Sequence, residues 1–236
     1  MKLSARLSIA VIAMLLIFQL GCDNYSTSPT PVSGLLKISV KSVYSGAFNK
    51  ISAKSITSVT ISSAQVVIDK IELESDLGDS LDFEFEEPFV QDLALDTNVH
   101  EIQTVQVPFG TYKESEIKID ELEEEDSTAF AQNPELQNLS ILVKGFIDGD
   151  TSQTFVFSSD LNAEQEREFD PPLVLDENSP STNIVLIINL DTWFVDEDGD
   201  PLDPRSPNNR ETIEENIENS IDIFEDEDND GEDDDD

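Results

Sequence analysis

The chain has 236 residues, with 52 acidic against 13 basic side chains and a formal net charge of −39 at pH 7. That balance excludes a nucleic-acid partner, because phosphate contacts need clustered Lys and Arg to displace counterions. A carboxylate-rich surface instead keeps a protein soluble and suits salty surroundings, where self-repulsion is screened.

At the N-terminus, Lys2 and Arg6 precede an apolar run from Leu7 to Leu20, interrupted by Ser8 and Gln19, and Gly21 leads into Cys22, the only cysteine. The run is shorter than the roughly 18 residues of a membrane span and has the layout of a secretory signal. The Leu20-Gly21-Cys22 ending resembles a bacterial lipoprotein signal, with Gln19 where that motif usually carries an aliphatic residue. The resemblance implies a diacylglycerol on the Cys22 sulfur, cleavage after Gly21 and acylation of the new amino group. An ordinary signal peptide with an incidental cysteine fits the same layout. Loss of residues 1–21 would leave 215 of the 236 residues and, without Lys2 and Arg6, a charge of −41. With Cys22 spent on lipid, no disulfide could form, and stability would rest on packing.

Residues 22–33 are rich in Ser, Thr and Pro without an apolar period and read as a tether. From Leu35 the period becomes two: Leu36, Ile38 and Val40 alternate with Lys37, Ser39 and Lys41, as in a half-buried strand. Further strands are predicted at Val59–Ile61, Gln65–Glu74, Leu81–Glu86, Val90–Leu95, Ile102–Val107, Glu116–Leu122, Leu139–Ile147, Thr154–Ser158 and Asn183–Leu190. About nine or ten short strands separated by turns such as Asp148-Gly149-Asp150 predict an antiparallel β-sandwich over 34–207. "NIVLIINL", Asn183 to Leu190, is apolar on both faces and fits a covered central strand. Glu123 to Leu139 reads as a long surface loop with at most one helical turn.

Ile213, Ile217, Ile221 and Phe224 recur at helical spacing after Pro207, with Asn208 and Glu211 placed like a capping box, so one amphipathic helix is predicted over 208–224. Its apolar stripe is read as packing on the domain. The acidic stretch 225–236 is expected to be a disordered tail.

"SSAQVVIDKIELE" (Ser62 to Glu74), "EEPFVQDLALDTN" (Glu86 to Asn98) and "VQVPFGTYKESEIKI" (Val105 to Ile119) stand in the order of a Val-rich strand, an Asp92-Leu93 segment and a Pro108-x-Gly110-x-Tyr112 turn. In this order they resemble the DUF4382 family of exported domains of unknown function, over roughly Gly34 to Leu122. The resemblance implies a transthyretin- or immunoglobulin-like sandwich and no catalysis. A Thr-Asp-Ala-Pro-like element of that family is replaced here by "SVYSGAFNK", so nothing attached to it carries over. At the turn, Gly110 would permit a positive φ and Tyr112 would pin the next strand through its ring.

Catalytic inventories are thin. His100 is the only histidine, and no G-x-S-x-G elbow, H-E-x-x-H pair or Gly-rich phosphate loop occurs. Carboxylates are so abundant that no particular pair points to a glycan hydrolase. Calcium chemistry has more to stand on. Asp196, Asp198, Asp200 and Asp203 surround Gly199, and Asp226, Asp228 and Asp230 alternate before Gly231. A D-x-D-x-D-G run supplies three hard oxygens and a bend, although a bidentate acid at loop position twelve would fall past Asp236. Solvated acidic turns are the competing reading of both runs.

The sequence thus predicts a lipid-anchored, exported cell-envelope protein, held at the periplasmic face or the cell surface. It would act as a non-enzymatic binding or structural module whose partners are the membrane and an envelope protein or glycan. A Ca2+-dependent adhesin or surface-assembly subunit is the alternative, and a carboxylate-based hydrolase the third.

Overall fold

The computed structural model describes residues 33–46, 48–49, 56–78, 82–226, 228 and 230–233, so the signal-like segment, Cys22 and the tether lie outside the described residues. The chain enters through β1 (Ser33–Val43), where Leu36, Ile38 and Val40 are buried as their spacing predicts. It continues through β2 (Phe48–Asn49), β3 (Ser58–Ser75), β4 (Phe83–Phe85), β5 (Phe89–Leu93), β6 (Val99–Pro108) and β7 (Gly110–Ile119). A 3₁₀ turn and a short helix, α1 (Ser127–Gln132), precede β8 (Ile141–Ile147), β9 (Asp150–Ser159), β10 (Ala163–Leu175) and β11 (Ser181–Asn189). After a long loop come α2 (Arg210–Glu218) and β12 (Ile221–Glu225).

Two sheets form a mainly β sandwich. One has the order β12-β11-β1-β6; the other runs β10-β7-β3-β8-β9, with β2, β4 and β5 also paired to β3. Among the described strands pairing is antiparallel except between β1 and β11, which run parallel from Leu35↔Ser181 to Val43↔Asn189. The core lies between the sheets, with Leu36, Ile38, Ile184 and Leu186 from one and Ile71, Leu73, Val143 and Phe157 from the other. A smaller apolar cluster forms where α1 and its flanks cover β3 and β8, around Val67, Leu122, Leu136 and Leu142. "NIVLIINL" is a central strand as predicted, flanked by β1 and β12, with Ile184, Val185 and Leu186 all buried.

Several predicted elements change at their ends. The two predicted segments Val59–Ile61 and Gln65–Glu74 are one 18-residue strand, β3, with register shifts at Ile61/Ser63 and Ile68/Lys70 that absorb the break in alternation. No strand is predicted from the sequence over β10, which carries Pro171 and Pro172; prolines are tolerated there because β10 is an edge strand and its register with β7 shifts between Glu168 and Leu173.

The helix predicted over 208–224 ends at Glu218. Ile221 and Phe224, assigned to its stripe, instead stand in β12 opposite Ile188 and Val185. The break is fixed by Trp193, whose Nε1 donates to Ser220 Oγ (2.7 Å), which in turn donates to the carbonyl of Ile217 (2.6 Å). The residue at the helix N-cap is Asn209 rather than Asn208, and it makes no side-chain capping bond; its side-chain Nδ2 donates to the carbonyl of Asp203 instead (3.0 Å).

At the β6–β7 turn the Tyr112 ring is fully buried, as expected, and its hydroxyl in addition donates to the carbonyl of Pro108 (2.7 Å), which ties the two strands. Burial, and secondarily the charge of Asp82, pushes that hydroxyl up to about 12. Gly110 differs from expectation: it has no positive φ, and a Cβ there would meet the Tyr112 ring only at ordinary contact distance, 3.6 Å.

A glycine is required on β8. A Cβ at Gly145 would collide with the carbonyl oxygen of Thr60 and come within 2.7 Å of the Phe155 ring. Gly145→Ala is therefore expected to cost about 1–3 kcal/mol through overpacking, read as a lower thermal midpoint. An unchanged midpoint would mean that β3 and β9 part without cost.

Candidate functional site

The strand β12 delivers Asp226 beside Asn183, because Glu225 pairs with Ile184. Asp226 is fully buried. Its amide donates to the carbonyl of Asn183 (2.9 Å), the Asn183 side-chain amide donates to Asp226 Oδ2 (3.2 Å), and Ser39 Oγ donates to Asn183 Oδ1 (2.8 Å). The chain then bends back on this carboxylate. Asp226 Oδ1 accepts from the amide of Asp230 (3.0 Å) and Oδ2 from that of Gly231 (3.1 Å), while Asp228 Oδ1 also accepts from Asp230 (3.2 Å). Gly231 adopts φ +77° and is wedged against the Val99 side chain and Lys41, so a Cβ there would clash. Lys41 Nζ donates to the Gly231 carbonyl (2.6 Å), and Arg167 pairs with Asp233 (2.6 Å).

This bend brings one oxygen each from Asp226, Asp228 and Asp230 within 4.8 Å of one another, the first buried and the other two exposed. Three carboxylates at that spacing can share one hard cation, whose remaining oxygen ligands would come from carbonyls or water.

The loop at Asp196–Asp203 is built differently. Asp196 Oδ1 accepts from the amides of Asp198 (3.1 Å) and Asp200 (2.8 Å), and Gly199 turns with φ +73°. Asp203 is engaged by Arg205 through Nε (2.9 Å) and Nη2 (2.8 Å), and that guanidinium holds its carboxyl below the usual range against the opposing effect of burial. Among the described residues, Asp196, Asp198, Asp200 and Asp203 do not converge as the second run does.

A third carboxylate group, Glu116, Glu164 and Glu166, lies on strands and has no counterpart among the sequence-derived candidates. The register explains it. Glu84, Glu72, Glu116 and Glu166 stand directly opposite one another across β4, β3, β7 and β10, and Glu74, Glu114 and Glu168 form the next row. Lys70 sits between Glu72 (2.8 Å) and Glu116 (2.6 Å), and Lys113 reaches Glu74 (2.7 Å). Burial, then the charges of Glu74 and Glu166, raise the pKa of Glu114. Glu164, Glu166 and Glu168 alternate in sequence and so share a face, but the rows they complete are visible only through pairing.

His100 stands at the start of β6, exposed, with Nε2 2.9 Å from Asp96 Oδ1, and this contact lowers the Asp96 pKa. Asn183, Ser39, Lys41 and Arg167, which fix the Asp226 loop, carry no local signal: each is an ordinary strand residue up to 190 positions from its contact.

A scan against protein-family models finds no match, and no curated protein matches the sequence. Among solved structures the chain is similar to MbnP from Methylosinus trichosporium, at 10% identity and a TM-score of 0.46, over 82% of this chain and 99% of that one.

The glutamate rows set a test. Since folding raises the Glu114 pKa, its carboxylate opposes the folded state at neutral pH, and the opposition lifts as pH falls through the raised value. Glu114→Gln is expected to stabilise the protein by about 0.2–1 kcal/mol at pH 7. The gain should shrink in molar NaCl and vanish below the unfolded carboxyl value near 4.5. A variant that melts lower than wild type at pH 7 would show that the rows are not repulsive.

Proposed function

We propose that the protein is an exported, lipid-anchored cell-envelope protein whose sandwich acts as a non-enzymatic binding or structural module. The observation that carries this reading is the place of Cys22. It is the only cysteine of the chain, it directly follows a leader with the charge and apolar layout of a signal, and Ser33, where β1 opens, comes eleven residues later. A chain of that length spans at most about 40 Å, enough to hold a folded body clear of a lipid surface. A single acyl chain gives only marginal attachment, so the two or three chains of a bacterial lipoprotein supply the durability. The partners are the membrane and an envelope protein or glycan, and the resemblance to DUF4382 belongs to the same reading.

Mass spectrometry of the mature N-terminus is expected to find a diacylglycerol-modified Cys22, and Cys22→Ala should move the protein from the membrane to the soluble fraction. An unmodified Cys22, or cleavage at another position, would sink the anchor.

A second reading, a Ca2+-dependent adhesin or surface-assembly subunit, is favoured by the convergence of Asp226, Asp228 and Asp230. A cation there would also tie the chain end to β11 and β1 through Asn183 and Ser39. Binding to the folded state raises stability, by about 2.7 kcal/mol at a hundred times Kd. The thermal midpoint should therefore rise in millimolar CaCl2 relative to EDTA, and the paired substitution Asp228→Asn with Asp230→Asn should abolish the rise. A midpoint unmoved by calcium ends this reading.

A further inference from the structure

The strand β5 is paired on one side only. It lies antiparallel to β3 from Ala64↔Leu93 to Ile68↔Phe89, and among the described residues no strand pairs with its other edge. The register tells which groups face outward. The Val67 amide donates to Ser140 (2.8 Å) on the side of β8, so Val66 and Ile68 turn their peptide groups to β5, where Gln91 and Phe89 answer them. Val90 and Asp92 then present their peptide groups to the open edge, where the Asp92 carbonyl accepts from Gln91 Nε2 (2.6 Å) and the Asp92 amide points outward. Proteins usually blunt such an edge with lysine, proline or a bulge. The five residues of β5, Phe-Val-Gln-Asp-Leu, contain no lysine or proline, and their pairing with β3 runs without a register shift.

The open edge borders a groove of about 620 Å³ between β5 and α1. Its walls carry Glu86, Glu87, Asp92 and Asp126, its apolar part is formed by Phe89 and Val90, and among the described residues no Lys, Arg or His lines it. Val90 packs on the small cluster around Val67 and Leu142, and Phe89 meets Phe85 edge-to-face at 6.0 Å, so β5 has packing support on both sides of its backbone. The volume falls in the range of ligand-sized clefts, about 300–1,000 Å³, and five strand residues run about 17 Å.

From these features we infer that the groove binds an extended, Lys- or Arg-bearing segment of a partner protein, which adds to the free edge of β5 as a further strand. Backbone pairing with Val90 and with the Asp92 amide would supply affinity, and alternate side chains of the added strand would meet the carboxylates. A second copy of this chain is the wrong occupant, because its net charge of −39 opposes self-association. The inference deepens the reading of the sandwich as a binding module and rests on it. The anchor is tested separately at Cys22, so the two can fail independently.

The test uses the full chain in detergent and a fluorescent six-residue peptide of alternating Lys and Val. Three controls go with it: the same peptide with Glu for Lys, the Lys peptide N-methylated at alternate residues, and sedimentation of the protein alone. Saturable binding of the Lys peptide is expected, weakened at least tenfold by N-methylation, which blocks strand pairing and keeps the charge. Val90→Pro, which removes an outward amide, and the pair Glu86→Lys with Glu87→Lys should each weaken it at least tenfold, and the Glu peptide should not bind wild type. Equal binding of the N-methylated peptide would reduce the effect to diffuse charge and overturn strand addition. So would the absence of binding, or self-association that Val90→Pro abolishes.

Discussion

One strand sets the terms for the larger sheet. The 18 residues of β3 carry β2, β4, β5, β7 and β8 directly, and β9 and β10 through them. A strand that long must twist, and its pairing shifts register at Ile61/Ser63, Ile68/Lys70 and Glu74/Ser75, where irregular pairing adds to that twist. The first half therefore lies between β5 and β8 and the second between β4 and β7. Ile68 pairs with Phe89 of β5 and with Ile119 of β7 at once, so β4 and β5 follow one another on one side of β3 and β7 and β8 on the other, and among the described residues no strand lies beyond β5.

Charge is the second constraint. Outward positions of β3, β4, β7 and β10 are filled with glutamate, so pairing these strands stacks like charges at the distance of a cross-strand pair. Lys70 relieves part of this: burial disfavours its ammonium, but hydrogen bonds to Glu116 and Glu72 outweigh that and raise its pKa. The sheet is thus held by the apolar face that looks inward, with Ile71, Leu73 and Ile117 fully or almost fully buried, while the opposite face responds to salt and pH. The Asp226 loop solves the same problem locally, by giving one buried carboxylate three N–H donors, from Asn183, Asp230 and Gly231.

Much of the sandwich was legible in the sequence because strand burial has a short period. Leu36, Ile38 and Val40, or Phe155 and Phe157, report their face through neighbours two positions away. The same shortness explains the misreading at the C-terminus. Ile213, Ile217 and Ile221 satisfy helical spacing, and Ile221 with Ile223 satisfies strand spacing just as well; only the pairing of Ile221 with Ile188 and the Trp193–Ser220 bond select the change at Glu218. The two acidic runs look alike in composition, yet Arg205 occupies Asp203 while Asn183 gathers the chain around Asp226.

By itself, then, the sequence determined the mainly β class, the inward residues of most strands, the signal-like leader with its single cysteine, and the two carboxylate runs, because each is a matter of residue type and near spacing. The tertiary structure decided what depends on distant partners: the parallel join of β1 to β11, the rows of glutamates across four strands, the free edge of β5, and which aspartates converge. Those features exist only once strands far apart in the chain are set in register, and a register is a property of pairs that no single segment encodes.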